Sequence, residues 1–173
     1  MLTIQDVLGV SESEFVQLML DNCSLQGACQ GYAAEHIAKA AMEAIPEVTE
    51  VTKMFDHDKK HRYDFLVKTQ HRNIRVEVKR LTETAPGIKI AKSFKTPIDI
   101  GGHRICTTQL PRTSYDVLCI VTPNGVVFMK TCDMPTSRNY KNMPKEAASL
   151  LLPRYLKAEL IAKLASSDFP LTE

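Results

Sequence analysis

Three residues in two adjoining strand-like runs carry the most chemistry in this chain: Asp64, directly after Tyr63, and then, twelve intervening residues later, Glu77 and Lys79 around Val78. Side chains alternate along a strand, so Glu77 and Lys79 share a face and Val78 takes the other. The runs 62–70 and 73–81 read as a hairpin. With its turn centred between His71 and Arg72, Phe65 faces Val78 and Val67 faces Val76, an apolar match. The same pairing sets Asp64 opposite Lys79, Leu66 opposite Glu77 and Lys68 opposite Arg75. The resulting patch holds two carboxylates beside one ammonium. Carboxylates held together repel, and a divalent cation with oxygen ligands neutralises them. Magnesium is the expected ion, because it binds through one or two carboxylates and keeps several waters, with manganese as a substitute. Such an ion activates water and polarises a phosphoryl oxygen, while a lysine orients the water and offsets transition-state charge. Those are the requirements of phosphodiester hydrolysis.

Basic residues lie near this patch in sequence. Lys68 opposite Arg75 is an unfavourable like-charge pair that an anion would relieve. The segment 82–113 carries Lys89, Lys92, Lys95, His103, Arg104 and Arg112 against Glu83 and Asp99 alone. It is expected to contact phosphates, with Gln109 or Arg112 reading bases. A bland alternative stands beside each reading. An Asp, Glu and Lys on one strand face are most often a solvated surface with ion pairs worth under about 1 kcal/mol each. Asp56, His57, Asp58 and His61 read as a solvated loop, and Asp116 as a strand-edge or hydrogen-bonded structural residue. Glu35 reads equally as a metal ligand or as an exposed charge paired with Lys39 at i,i+4.

The elements that must position these groups follow from periodicity. Residues 3–9 and 11–20 read as short helices, the second opened by the capping-box spacing of Ser11 and Glu14, with Phe15, Leu18 and Met19 as its apolar face. After Gly27 and Gly31, a helix over 32–45 carries Ala34, Ile37, Ala38, Ala41, Met42 and Ile45 at three-four spacing until Pro46. Val48, Val51 and Met54 suggest a strand. The Pro- and Gly-containing segment 82–113 reads as a long excursion with at most one short element. Runs 115–122 and 126–131 form a second hairpin around Pro123-Asn124-Gly125. Helices follow from Pro144, with Pro153 opening one over 154–165. The order points to an α/β fold bordering on α+β, a mixed sheet flanked by helices.

Tyr63-Asp64, the twelve-residue interval and Glu77-Val78-Lys79 resemble the D…(D/E)xK motif of the PD-(D/E)xK, or restriction-endonuclease-like, nuclease superfamily. Gly31-Tyr-Ala-Ala-Glu35 resembles its first core helix, and Ser114 to Phe128 resembles the next strand pair in its resolvase-like, intron-homing and small restriction-enzyme branches. The likeness spans about residues 30–135, with Tyr63 where the family name has proline. It implies an αβββαβ core in which Asp64, Glu77 and the Val78 carbonyl hold the metal, Lys79 serves the nucleophilic water, and Glu35 adds an outer or second-metal ligand. It also implies a DNA substrate.

The bulk numbers bound this reading. A chain of 173 residues fits one domain, divided as an N-terminal helical extension over 1–27, a catalytic core over 28–135 and C-terminal helices over 136–173. The net charge of +2, from 22 basic and 20 acidic residues, neither demands nor excludes a polyanion, so distribution decides. Five cysteines without a C-x-x-C pair argue for reduced thiols, and no export signal or membrane span is read, so a cytoplasmic location is expected. The expectation is a magnesium-dependent DNA endonuclease, restriction-like or otherwise site-specific. The alternatives are a structure-selective resolvase-like or repair nuclease and a nucleic-acid-binding module without turnover. Cutting both strands of a duplex calls for two active sites, so a homodimer or higher homo-oligomer is expected, with 145–165 as a candidate interface.

Overall fold

A computed structural model describes residues 2–56, 61–84, 87–90, 96–100, 103–107, 112–136 and 155–156, with side chains at 2–56, 61–81 and 112–136. The chain falls into two compact units, 1–33 and 34–173.

In the first unit, α1 (Ile4–Leu8) and α2 (Glu12–Asp21) each begin with a complete capping box, Thr3 with Asp6 and Ser11 with Glu14. The reciprocal bonds satisfy amide groups that a helix start leaves open. Neither helix has a buried residue, and Val7, Leu8, Val16, Leu18 and Leu20 are exposed. The apolar face expected on α2 is therefore at best half-covered within this chain. Asn22 starts α3 (Cys23–Glu43) by accepting the Ser24 and Leu25 amides, both at 3.0 Å. The helix expected to begin after Gly31 thus starts nine residues earlier and runs through both glycines. Two glycines cost about 1 kcal/mol each against alanine, and continuous backbone hydrogen bonding outweighs them.

The second unit is built on a mixed sheet. Strands β1 (Val48–Lys53), β2 (Phe65–Thr69) and β3 (Asn73–Thr84) form an antiparallel meander. Next to β3 lies β7 (Val117–Thr122), parallel to it, and β8 (Gly125–Lys130) pairs antiparallel with β7. On one face Phe65, Val67, Ile74, Val76, Val78, Val117, Cys119 and Val121 pack with Ala34, Ala38 and Met42 of α3. The helix residues recur every four positions, so one stripe of α3 covers the sheet. The opposite face gathers Leu81, Tyr115, Leu118, Ile120, Val127, Met129 and Met134. Ile37, placed on the core stripe by spacing, is 48% exposed.

The segment 82–113 departs from expectation. β3 continues to Thr84, pairs with β4 (Gly87–Ile90), and β4 pairs with β9 (Tyr155–Leu156). β5 (Thr96–Ile100) and β6 (His103–Thr107) form a separate two-stranded ribbon. Strands of four or five residues hold too few alternations to be read as periodic. The helix expected over 154–165 is contradicted at Tyr155 and Leu156, which are strand; ladder bonding to Ile88 and Lys89 overrides the local pattern. The rest of that helix, and the proposed interface over 145–165, lie outside the described residues. Between β3 and β7 no helix occurs among the described residues, where the αβββαβ pattern calls for one. No described helix is long and apolar enough to cross a membrane.

Candidate active site

The first hairpin turns one residue earlier than expected. Thr69 and Arg72 close a two-residue loop, with the Thr69 amide donating to the Arg72 carbonyl at 2.9 Å. The Thr69 hydroxyl fastens it, donating to the Arg72 carbonyl and accepting the His71 and Arg72 amides. Phe65 therefore pairs with Val76, Val67 with Ile74, Leu66 with Arg75 and Lys68 with Asn73. The shift relative to the expected register is two residues, so every side chain keeps its face. A one-residue slip would have exposed the aliphatic set at roughly 1.5–3 kcal/mol per side chain; a two-residue slip costs nothing in facing, and the turn decides.

The corrected register brings the carboxylates together at a fork. β2 begins at Phe65 while β3 runs on, so β3 has a ladder position without a strand partner on that side. Asp64 ends the ladder: its amide donates to the Val76 carbonyl at 3.0 Å, and its Oδ2 accepts the Val78 amide at 2.7 Å. Its carboxylate thus replaces the missing strand, one step from Glu77. Among the ionisable site residues, Glu77 is the most enclosed, 8% exposed, and its Oε1 accepts from Lys79 Nζ at 2.5 Å. Burial pushes the Glu77 carboxyl up to about 7, with Asp64 and Glu35 adding to the rise and Lys79 opposing it. Burial alone would lower the Lys79 ammonium, but Glu77, Asp64 and Glu35 outweigh it and hold it above its ordinary value.

On the α3 side of the fork stands a second lysine that spacing did not single out. Lys53, at the end of β1, reaches Glu35 at 2.9 Å, Asp56 at 2.6 Å and Asp64 at 4.0 Å, with its ammonium 5.6 Å from the Phe65 ring centre. Glu35 is thus paired with Lys53, and Lys39 pairs instead with Glu43 at 3.6 Å. Burial raises the Glu35 carboxyl, with Lys53 opposing and Asp64 and Asp56 adding to the rise. Asp56, read as part of a solvated loop, belongs to this cluster. The signal for Lys53 lay in strand pairing: it sits opposite Phe65, next to Asp64, which no linear spacing announces.

The other expected contacts resolve differently. Lys68 and Arg75 do not face each other; Lys68 pairs with Glu50 at 2.7 Å. Arg75 donates to both Asp116 carboxylate oxygens and to the Thr113 carbonyl, and Asp116 also accepts the Arg75 amide. That bears out a structural role for Asp116. Arg112 donates to the Thr131 and Cys132 carbonyls, fastening the turn after β8. Lys89 lies in β4, partnered by Thr82 and Tyr155, and Arg104 lies opposite Asp99 in the ribbon. Lys92, Lys95 and Gln109 lie outside the described residues. Cys23, Cys29, Cys119 and Cys132 are free thiols. The Tyr115 hydroxyl is buried with no hydrogen-bond partner among the described residues, and burial and the nearby Glu77 raise its pKa.

Carboxylate oxygens are the donors that a hard divalent cation takes, and a carboxyl pushed toward neutrality by burial is one that a cation would return to its anionic form. The donor chemistry therefore fits magnesium. Among the described residues, no group of three or more His, Cys, Asp or Glu side chains could hold a metal ion; lysine ammoniums stand against Glu35, Asp56 and Glu77. No protein-family model, curated protein or solved structure matches the chain.

Proposed function

We propose that this chain is a magnesium-dependent phosphodiesterase acting on DNA, an endonuclease of the PD-(D/E)xK kind that works as a homodimer. The observation that carries the reading is Glu77, a carboxyl buried against Lys79 one ladder step from the Asp64 carboxylate. Burying an ion pair costs several kcal/mol of solvation per ion, and aliphatic side chains of similar size often stabilise a fold as well or better. Stability alone gives a sheet little reason to hold Glu77 and Lys79 here, and perturbed ionisable groups gather where chemistry is done.

Asp64 and Glu77 would hold the metal, which supplies an activated water and charge stabilisation at phosphorus. Asp64 is held in place by the Val78 amide, so its orientation is set before any ligand arrives. Lys79 keeps its proton beside Glu77 and presents an ammonium to offset negative charge as the phosphate is attacked. The same groups favour a second reading to a lesser degree: with lysines already on three carboxylates, the cluster could serve as a closed ion-pair network in a nucleic-acid-binding module.

One experiment separates the two. Plasmid and single-stranded DNA are incubated with Mg2+, Mn2+ or EDTA, using wild type, Asp64→Asn, Glu77→Gln and Lys79→Met. The nuclease reading expects metal-dependent nicking that falls by at least about 100-fold in each variant. Binding without nicking in any metal would establish the module instead.

A further inference from the structure

The first compact unit, residues 1–33, carries an imbalance of charge that the proposed site does not use. It holds Asp6, Glu12, Glu14 and Asp21 but no lysine, arginine or histidine, so all 22 lysines and arginines lie beyond it. Hydrogen bonds from the Thr3 amide and hydroxyl hold the Asp6 carboxyl below its ordinary value, and those from the Ser11 hydroxyl and amide do the same for Glu14. Among the described residues no cation pairs with any of the four. The same unit leaves Val7, Leu8, Val16, Leu18 and Leu20 between 49% and 64% exposed. On α2, Glu12, Val16 and Leu20 stand four apart and line one face. Asp21 follows Leu20, so this aliphatic stripe has a carboxylate at either end. With 5 and 10 residues, α1 and α2 are shorter than the roughly 12–15 residues at which an isolated helix is even marginal in water. Yet each is specified by a full capping box. Helices so specified, with aliphatic side chains that their own chain leaves open, are built to be covered by something else.

We propose that α1 and α2 form a docking surface for a basic amphipathic helix of a partner protein, whose aliphatic side chains cover Val16 and Leu20 while its lysines or arginines meet Glu12 and Asp21. Charge decides among the occupants. DNA is a polyanion, repelled by a unit with four carboxylates and no cation. Interfacial membrane helices are rich in lysine and arginine on their polar face, and this unit has neither. Symmetric pairing with a second copy would set four unpaired carboxylates against four more. A basic helix relieves those charges and supplies apolar anchors at the i, i+4 spacing that the stripe presents. This surface goes beyond the proposed nuclease activity and does not depend on it.

The test uses the full chain and a defined probe. Wild type is titrated into a fluorescein-labelled peptide about 18 residues long, built of leucine and lysine with leucines at i, i+3, i+4 and i+7, and fluorescence anisotropy reads binding. One control peptide scrambles the order, and another replaces every lysine by glutamate. The basic amphipathic peptide should bind with a Kd of about 10 μM or tighter, and both controls at least about tenfold more weakly. Val16→Ala combined with Leu20→Ala, which keeps helix propensity, should weaken binding about tenfold or more. Glu12→Lys combined with Asp21→Lys should weaken it about fivefold or more, a difference that shrinks as salt rises. Circular dichroism checks the helices, and the control peptides still decide if a variant loses them. Unchanged affinity in folded variants, a control peptide that binds as tightly, or no binding of the basic peptide would overturn the inference. So would dimerisation in sedimentation equilibrium, or sedimentation with phosphatidylcholine vesicles, that the alanine pair abolishes, since a second copy or lipid would then be the occupant. None of these readouts involves metal or nicking, so the nuclease reading stands or falls separately.

Discussion

Glu77 concentrates the energetic tension of the molecule. Its carboxyl titrates near 7 in the folded chain against 4.5 when unperturbed. A raised folded pKa means that between those values the unfolded chain has lost a proton that the folded chain retains. Metal-free stability should therefore be highest below about pH 4.5 as far as this group is concerned, fall as pH rises, and level off above about pH 7. The full fall is on the order of 3 kcal/mol, and Glu35, also raised by burial, adds in the same direction. Urea unfolding in EDTA from pH 5 to pH 8 measures it, with Glu77→Gln removing most of the slope. Parallel pH profiles for wild type and the glutamine variant would contradict the burial account. Since a cation needs the ionised carboxylate, the same group should make metal affinity rise with pH through neutrality.

Among the secondary-structure elements, β3 matters most, because it carries Glu77 and Lys79 and is paired on both sides. Its parallel partner β7 comes from a distant part of the sequence, so something must set their alignment. Arg75 and Asp116 do so at the point of entry: the Arg75 amide and guanidinium donate three bonds to Asp116, at 2.9, 3.1 and 2.7 Å, and Val76 pairs with Val117 directly after. Both side chains are roughly two-fifths exposed, so solvent screens the charge and the bonds count for less than buried ones. Asp116→Ala should cost about 1–2 kcal/mol, part of it from the amide left open. Urea unfolding at neutral pH measures this, and a change under about 0.5 kcal/mol would mean that the β7 side chains set the alignment unaided.

For the molecule as a whole, the division into units predicts where truncation is tolerated. Residues 2–33 contribute no buried side chain, whereas the core clusters begin at Ala34. Backbone that buries nothing can be removed without opening a cavity. A chain lacking residues 1–22 should keep its β-sheet circular dichroism and unfold within about 1–2 kcal/mol of the full chain. Loss of cooperative unfolding would show that the exposed Val16, Leu18 and Leu20 are part of what holds the sheet together.

Alternation in 62–81 was enough to place Glu77 and Lys79 on one face and the aliphatic residues on the other, because facing depends on parity alone. The capping box at Ser11, the stripe Ala34, Ala38 and Met42, and the second hairpin were likewise legible, each resting on contacts a few residues apart or on a single period. The register of β2 on β3 was not, since shifts of two residues preserve every face and the choice fell to the Thr69 hydroxyl closing a tighter turn. Short strands such as β4 and β9 also escaped, because their ladders are made with partners far along the chain. Lys53 belongs with them: its place beside Glu35 and Asp64 is set by a helix and two strands meeting, and separations in sequence do not encode which charges such a meeting brings within 4 Å.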